Sequence, residues 1–312
     1  MIENTGTTAI SAKASSFVVL TNTAGISHFS FTLIFRKFYN LYNIMKVFLL
    51  GANGMLGNYV RSYLSQNHIH VISLTRKDFD LEELSVLSLK KFMEEKGLGA
   101  DDIIVNCAGV IPQASKDREL SNRIYYKINS ILPIILSMLT NKMIHVTTDC
   151  VFSGKTGGYH EYSNHDETND YGISKSLGEL CDGTIIRTSI IGEELVNKRS
   201  LLEWIISNEN RTINGYSNHF WNGVTCLQLA KIIYKIINEN LYWKGVRHIY
   251  SPTTVNKYEL CSMISDIYEL NIKLKEYSTE KVDKSLSTVY EVNFNIPELK
   301  EQINEMRDFI FS

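Results

Sequence analysis

Proline is scarce in this chain, four in 312 residues, so no Pro-rich linker divides it. Cysteine is sparse too. Cys107, Cys150, Cys181, Cys226 and Cys261 are odd in number, widely scattered and without a C-x-x-C pair, which argues against a disulfide framework and against a zinc knuckle. A reducing compartment, the cytoplasm, is the expected location. Neither sign of charge is in excess. Lys and Arg number 32 against 34 Asp and Glu, a net charge of −2, so the electrostatic footprint of a nucleic-acid-binding protein is missing. Long apolar runs are missing as well, and stretches such as Ile131–Leu139 fall far below the ~20 residues that a membrane-spanning helix needs. Nucleic acid and membrane are therefore not expected partners. What is there is 44% apolar and 21% charged, enough for a sizeable core in one large domain or two closely joined ones.

Residues 1–44 differ from the rest. They hold one acidic residue (Glu3), three basic ones (Lys13, Arg36 and Lys37) and many Ser, Thr and aromatic residues. An acid-poor, Ser-rich leader is one reading, but a single Arg speaks against it. The preferred reading is a poorly ordered extension, or a start placed upstream of the true one at Met45.

From Met45 onward the pattern alternates. Lys46–Leu50 (KVFLL) has the apolar density of a buried parallel strand, followed by glycines and a helix over Met55–Gln66. Further strands are predicted at Val71–Leu74, Asp102–Asn106, Met143–Thr147 and Thr184–Arg187, with helices at Leu84–Glu95, Ile124–Leu139 and Tyr171–Cys181 between them. Such repetition predicts an α/β fold, a doubly wound parallel sheet of the Rossmann type, over residues 45–190. Beyond it, helices are expected near 201–207, 226–240, 257–270 and 297–311, with short strands near 247–250 and 272–276. Residues 191–312 are read as mainly a small α+β lobe that completes a substrate cleft.

Four groups of residues carry chemistry. Gly51-Ala52-Asn53-Gly54-Met55-Leu56-Gly57 joins the first strand to the first helix, where a backbone without Cβ atoms can approach a pyrophosphate and a helix N-terminus offers free N–H groups. After the second strand comes Thr75-Arg76-Lys77 rather than an acidic residue. Two cations there suit a ribose 2′-phosphate, so NADPH is expected, with NADH as the alternative. Tyr171 and Lys175 stand four apart on one helix, a spacing that sets an ammonium beside a phenol and is expected to draw the phenol pKa downward. Thr148 ends the fourth strand, on the side of the sheet where ligands gather. The His160-Glu161 and His165-Asp166-Glu167 run lacks a metal-site order and is read as a solvated loop, so no metal is expected. Cys107 and Cys150 are read as inert buried thiols.

GANGMLG, VNCAG (Val105–Gly109), Ile128–Ser130, TTDCVFSG (Thr147–Gly154) and YGISKSLGE (Tyr171–Glu179) occur in an order that resembles the extended short-chain dehydrogenases. The run from Thr147 to Glu179 is most similar to the dTDP-4-dehydrorhamnose reductase family, clearly so over Lys46–Arg187. The resemblance implies a catalytic triad of Thr148, Tyr171 and Lys175. It also implies cofactor contacts at Gly54, Met55, Leu56, Asp80, Leu81, Ala108 and Gly109, alongside Gly51, Asn53, Gly57, Arg76, Tyr171 and Lys175. Asp149 would sit against the sugar, together with Thr148 and Tyr171. Cys150 stands where that family commonly has Tyr, and Ile190 where it usually has a substrate-contacting Trp. Trp221, within the divergent Gly215–Thr225 stretch, is the candidate to supply that aromatic contact. The implied activity is NADPH-dependent reduction of a nucleotide-linked 4-keto-6-deoxyhexose, dTDP-linked or a UDP-linked 2-acetamido sugar, by a protein that could form a homodimer. A nucleotide-sugar epimerase, and a non-catalytic subunit similar to the regulatory subunit of methionine adenosyltransferase, are the alternatives.

Overall fold

The computed structural model describes residues 45–112, 122–291 and 294–312, so the expectation of a poorly ordered extension over 1–44 falls outside the described residues. The strands β1 (Lys46–Leu50), β2 (His70–Leu74), β3 (Ile103–Asn106), β4 (Met143–Thr148) and β5 (Thr184–Thr188) are joined by β6 (Gly245–His248). They form one sheet in the order β2-β1-β3-β4-β5-β6, parallel throughout.

Both faces of this sheet are covered, and β1 demonstrates how. Val47 and Leu49 enter one apolar cluster, Phe48 and Leu50 the other, as the period of two in a strand requires. Helix α1 (Met55–Gln66) contributes Tyr59, Val60 and Leu64 to the first cluster. Helix α2 (Val86–Glu95) contributes Leu89 and Met93 to the second. Each such side chain fully removed from water is worth ~1.5–3 kcal/mol.

The third helix, α3, is continuous over Asn122–Tyr125, Tyr126–Ile131 and Leu132–Ser137, but its middle segment is π-helical. The sequence pattern predicts an uninterrupted α-helix here. Pro133 supplies the reason for the difference, since it has no N–H for the carbonyl of Asn129, four residues back. That carbonyl faces helix α4 (Asp170–Gly178) instead, where a Cβ on Gly178 would lie 2.0 Å from it. Only glycine lets the two helices approach this closely.

The remaining helices are α5 (Leu201–Ser207), α6 (Cys226–Asn238), α7 (Lys257–Ile267) and α8 (Leu299–Arg307). Of these, α6 packs on α1 and shares its apolar cluster through Ile233 and Ile236. Residues 45–312 form one compact unit. No helix among the described residues is long and apolar enough to cross a membrane.

Candidate active site

Strand order reverses between β1 and β3, and ligands in open α/β sheets settle at such a reversal, beyond the carboxyl ends of the strands. Gly51 leaves β1 with a φ of +74°. A Cβ there would stand 2.7 Å from the backbone nitrogen of Ala108, so the two turns touch. The first turn of α1 begins at Gly54 with no side-chain cap and no acidic residue, which leaves its N–H groups for an anion. Asn106 steadies the other turn: its Oδ1 accepts from the Ala108 N–H at 3.1 Å.

Between these turns lies a cavity of about 370 Å³. Gly51, Asn53, Gly54, Arg76, Asp80, Leu81, Ala108 and Gly109 line it. Three others from the same motif do not line it. Leu56 is buried in the core and Met55 packs against it, while Gly57 lies beneath the turn, where a Cβ would meet the Gly51 oxygen at 2.0 Å. Leu74, Phe79, Leu89 and Phe92 form an apolar wall, as a flat aromatic base would need. The glycine cradle, the uncapped helix and this wall fit a dinucleotide.

Arg76 stands at the rim. Its Nη2 bonds Asp80 at 3.2 Å and Glu82 at 2.6 Å, so any phosphate reaching the guanidinium competes with two carboxylates. Lys77 is exposed.

The triad candidates gather on α4 and at the end of β4. Asn169 caps α4, accepting from the Gly172 N–H at 2.8 Å, so Tyr171 falls in the first turn and Lys175 one turn later. The Thr148 hydroxyl accepts from the Cys150 N–H at 3.1 Å and donates to Asp149 at 3.1 Å, and its influence reaches the Tyr171 hydroxyl. Lys175 is buried, with its ammonium 3.2 Å from the Val146 oxygen and beside Gly109. Burial pulls its pKa down to about 8, against the nearby Glu179.

The expectation that Lys175 lowers the Tyr171 pKa is corrected. Burial, helped by Cys150 and Asp149, pushes Tyr171 well above the ordinary phenol value, and only the Thr148 hydroxyl works against it. Desolvation dominates at this phenol, while the Lys175 ammonium is hydrogen-bonded to the Val146 oxygen on β4. Tyr171 therefore keeps its proton at neutral pH, the state that a proton donor needs.

Asp149 is 3% exposed; burial raises its pKa, while Lys284, Lys257 and hydrogen bonds from Thr148 and Ser189 oppose the shift. Trp221 was expected against the substrate. The structure places it in the core instead, 4% exposed, because its strand His219–Trp221 pairs with Val255–Asn256 and turns the ring inward over the Lys257 ammonium at 4.8 Å. Burial holds the Cys107 and Cys150 thiols up to about 12, so neither is a thiolate at neutral pH.

Some residues near the site gave no chemical signal in the sequence. Asn129, fully buried on the π-helical turn, accepts from the Val110 N–H at 2.9 Å and donates to the Val110 oxygen at 3.0 Å and Ser174 at 3.1 Å. It ties the β3 turn to α4. The loop over His160–Glu167, read as solvated, is exposed at Tyr162, Asn164, His165 and Asp166 but anchored at Glu161. Glu161 is buried and accepts from the His248 and Val289 N–H groups at 3.0 Å each. His165 bonds Arg187 at 2.7 Å. Backbone donors and a buried guanidinium hold this loop in place. Among the described residues, no group of three His, Cys, Asp or Glu side chains is placed to hold a metal.

Known proteins resemble this arrangement. A family model described as the RmlD substrate binding domain matches residues 45–288. The spore coat polysaccharide biosynthesis protein SpsK of Bacillus subtilis is 26% identical over 251 residues, 76% of this chain and 84% of that protein. A dTDP-4-dehydrorhamnose reductase of Mycobacterium tuberculosis is 26% identical over 159 residues, 46% of this chain and 49% of that one. A solved dTDP-4-dehydrorhamnose reductase from Bacillus anthracis, in complex with NADP, has a TM-score of 0.70 at 23% identity, over 84% of this chain and 98% of that one. At that identity the likeness concerns the fold.

Proposed function

This chain belongs to the RmlD substrate binding domain family, and from that premise we propose that it is an NADPH-dependent reductase of a nucleotide-linked 4-keto-6-deoxyhexose. The observation that carries the reading is the gathering of Thr148, a protonated Tyr171 and Lys175 next to Gly109, which lines the cavity over the glycine turn at the strand-order reversal. Relatives named for polysaccharide biosynthesis and for dTDP-4-dehydrorhamnose reduction support the substrate class. A structural relative in complex with NADP supports the cofactor.

When bound, the reduced nicotinamide supplies the hydride for the ketone carbon. Tyr171 donates its proton to the oxygen that gains charge, and Thr148 orients the carbonyl and stabilises the phenolate left behind. Lys175 holds the nicotinamide ribose. Asp149 accepts from a sugar hydroxyl.

The test is loss of reduced-nicotinamide absorbance with dTDP- and UDP-linked 4-keto-6-deoxyhexoses, with and without a 2-acetamido group. Turnover in the ordinary range of ~1–10³ per second with one of them supports the reading and names the sugar. Tight NADPH binding with no turnover on any overturns it in favour of another keto substrate or a regulatory role.

Arg76 should decide between cofactors. Arg76→Ala is expected to weaken NADPH binding by about tenfold or more, the worth of one charge-assisted bond to phosphate, and to leave NADH nearly unchanged. Equal losses for both cofactors would show that Arg76 does not read the 2′-phosphate.

A further inference from the structure

Behind α4 lies a buried polar cluster to which the proposed mechanism assigns no role. Arg187, on β5, is 1% exposed. Its Nε donates to Glu179 Oε1 at 3.0 Å and its Nη2 to Glu179 Oε2. Nη1 donates to His248 Nε2 at 2.8 Å, and Nη2 also to His165 Nε2 at 2.7 Å. A guanidinium has no lone pair to offer, so both rings must accept through Nε2 and be neutral, with their proton on Nδ1. Those Nδ1 groups have acceptors: the Ser287 oxygen at 2.7 Å for His248 and Ser176 Oγ at 2.5 Å for His165. Phe152 closes the remaining side, its ring centre 5.0 Å from the guanidinium carbon.

Glu179 is thus held bidentately, and it is the C-cap of α4, one helical turn beyond Lys175. Buried ion pairs return little net stability, because desolvation consumes the Coulombic gain. A carboxylate held one turn from a buried ammonium does have a consequence, since it favours the charged form of that ammonium.

We propose that Glu179 is a positioning residue that acts through Lys175: Arg187 and its two neutral histidines fix the Glu179 carboxylate, and the carboxylate keeps Lys175 an ammonium while it is buried. The role in turnover rests on the reductase reading; the effect on Lys175 does not. The titratable groups that face Lys175 support the assignment. Cys107 from the end of β3, Cys150 beyond β4 and Cys181 beyond α4 are thiols pushed up to about 12 by burial. His145 on β4 is held neutral by burial and by Lys175 itself. Glu179 is the carboxylate among them and the foremost influence against the burial that draws Lys175 down to about 8.

The test follows the Lys175 ammonium directly, by the 13Cε resonance of labelled lysine in the full chain, assigned with Lys175→Arg and titrated between about pH 6 and 10. In Glu179→Gln the midpoint is expected to fall by about one pH unit, a tenfold smaller charged-to-neutral ratio at any pH near it. That variant leaves Arg187 without its anion and could fail to fold. Glu179→Met combined with Arg187→Met removes the carboxylate together with its neutralising guanidinium while filling the space, and should show a smaller fall in the same direction in a folded protein. A midpoint unchanged in either folded variant overturns the proposal. Affinity for NADPH at about pH 8, measured on the same samples, should drop with the charged fraction. A moved midpoint in a protein that binds no NADPH would sink the reductase reading and leave the Glu179 assignment standing.

Discussion

Turnover of the keto-sugar substrate should fall by ~10²–10⁴-fold in Tyr171→Phe, the range for loss of a positioned proton donor. The ring itself is not at risk. It packs edge-on against Tyr125, with centroids 6.3 Å apart, and phenylalanine keeps that contact. The change therefore removes one oxygen, the phenol hydroxyl beside Thr148, which burial holds in its protonated form. NADPH affinity should stay within about threefold, less than one ordinary hydrogen bond is worth. Stopped assays of turnover beside a fluorescence titration of NADPH separate the two quantities. Turnover close to wild type would remove Tyr171 from the donor role, and an equal loss of NADPH binding would make its role structural.

The second large effect lies in the turn after β1. A Cβ on Gly57 would stand 2.0 Å from the Gly51 oxygen, 2.8 Å from its carbonyl carbon and 2.9 Å from the Cα of Ala52. All three are backbone atoms, so no side chain can swing aside and the turn must separate from α1. That same turn presses on Ala108, so the displacement opens the cavity on both sides. Gly57→Ala is expected to weaken NADPH binding by ~100-fold or more, about 2.7 kcal/mol or greater, and to lower the melting temperature by several degrees. Gly54 is an internal control for stability, since a Cβ there meets only one atom, the Gly51 oxygen, at 3.2 Å. Gly54→Ala should melt near the wild-type temperature. A Gly57→Ala protein with wild-type melting and NADPH affinity would show that the turn yields freely.

Several features of the site were legible before any coordinates. The glycines after β1, Thr148 at the end of β4 and the Tyr171–Lys175 spacing announce themselves because each depends on local geometry: a tight turn, a strand end, a shared helix face. The Arg187 cluster did not. Its members at 165, 179, 187 and 248 carry no common spacing and meet only when β5 and β6 pair. Asn129 was visible only as part of a short matched run, and its function as a tie between α3, α4 and the β3 turn depends on the π-helical distortion at Pro133.

By itself, the sequence determined the alternation of strands and helices over 45–190 and the position of the dinucleotide turn, since hydrophobic period and turn chemistry act within a few residues. Only the tertiary structure decided three further things. It brought Gly245–His248 into the sheet as a sixth strand, buried Trp221 instead of presenting it to substrate, and raised the Tyr171 pKa where spacing alone predicted a fall. Each depends on what surrounds a residue in space. Desolvation and partner distance, which set charge states and exposed faces, are properties of the packed chain and not of its local order.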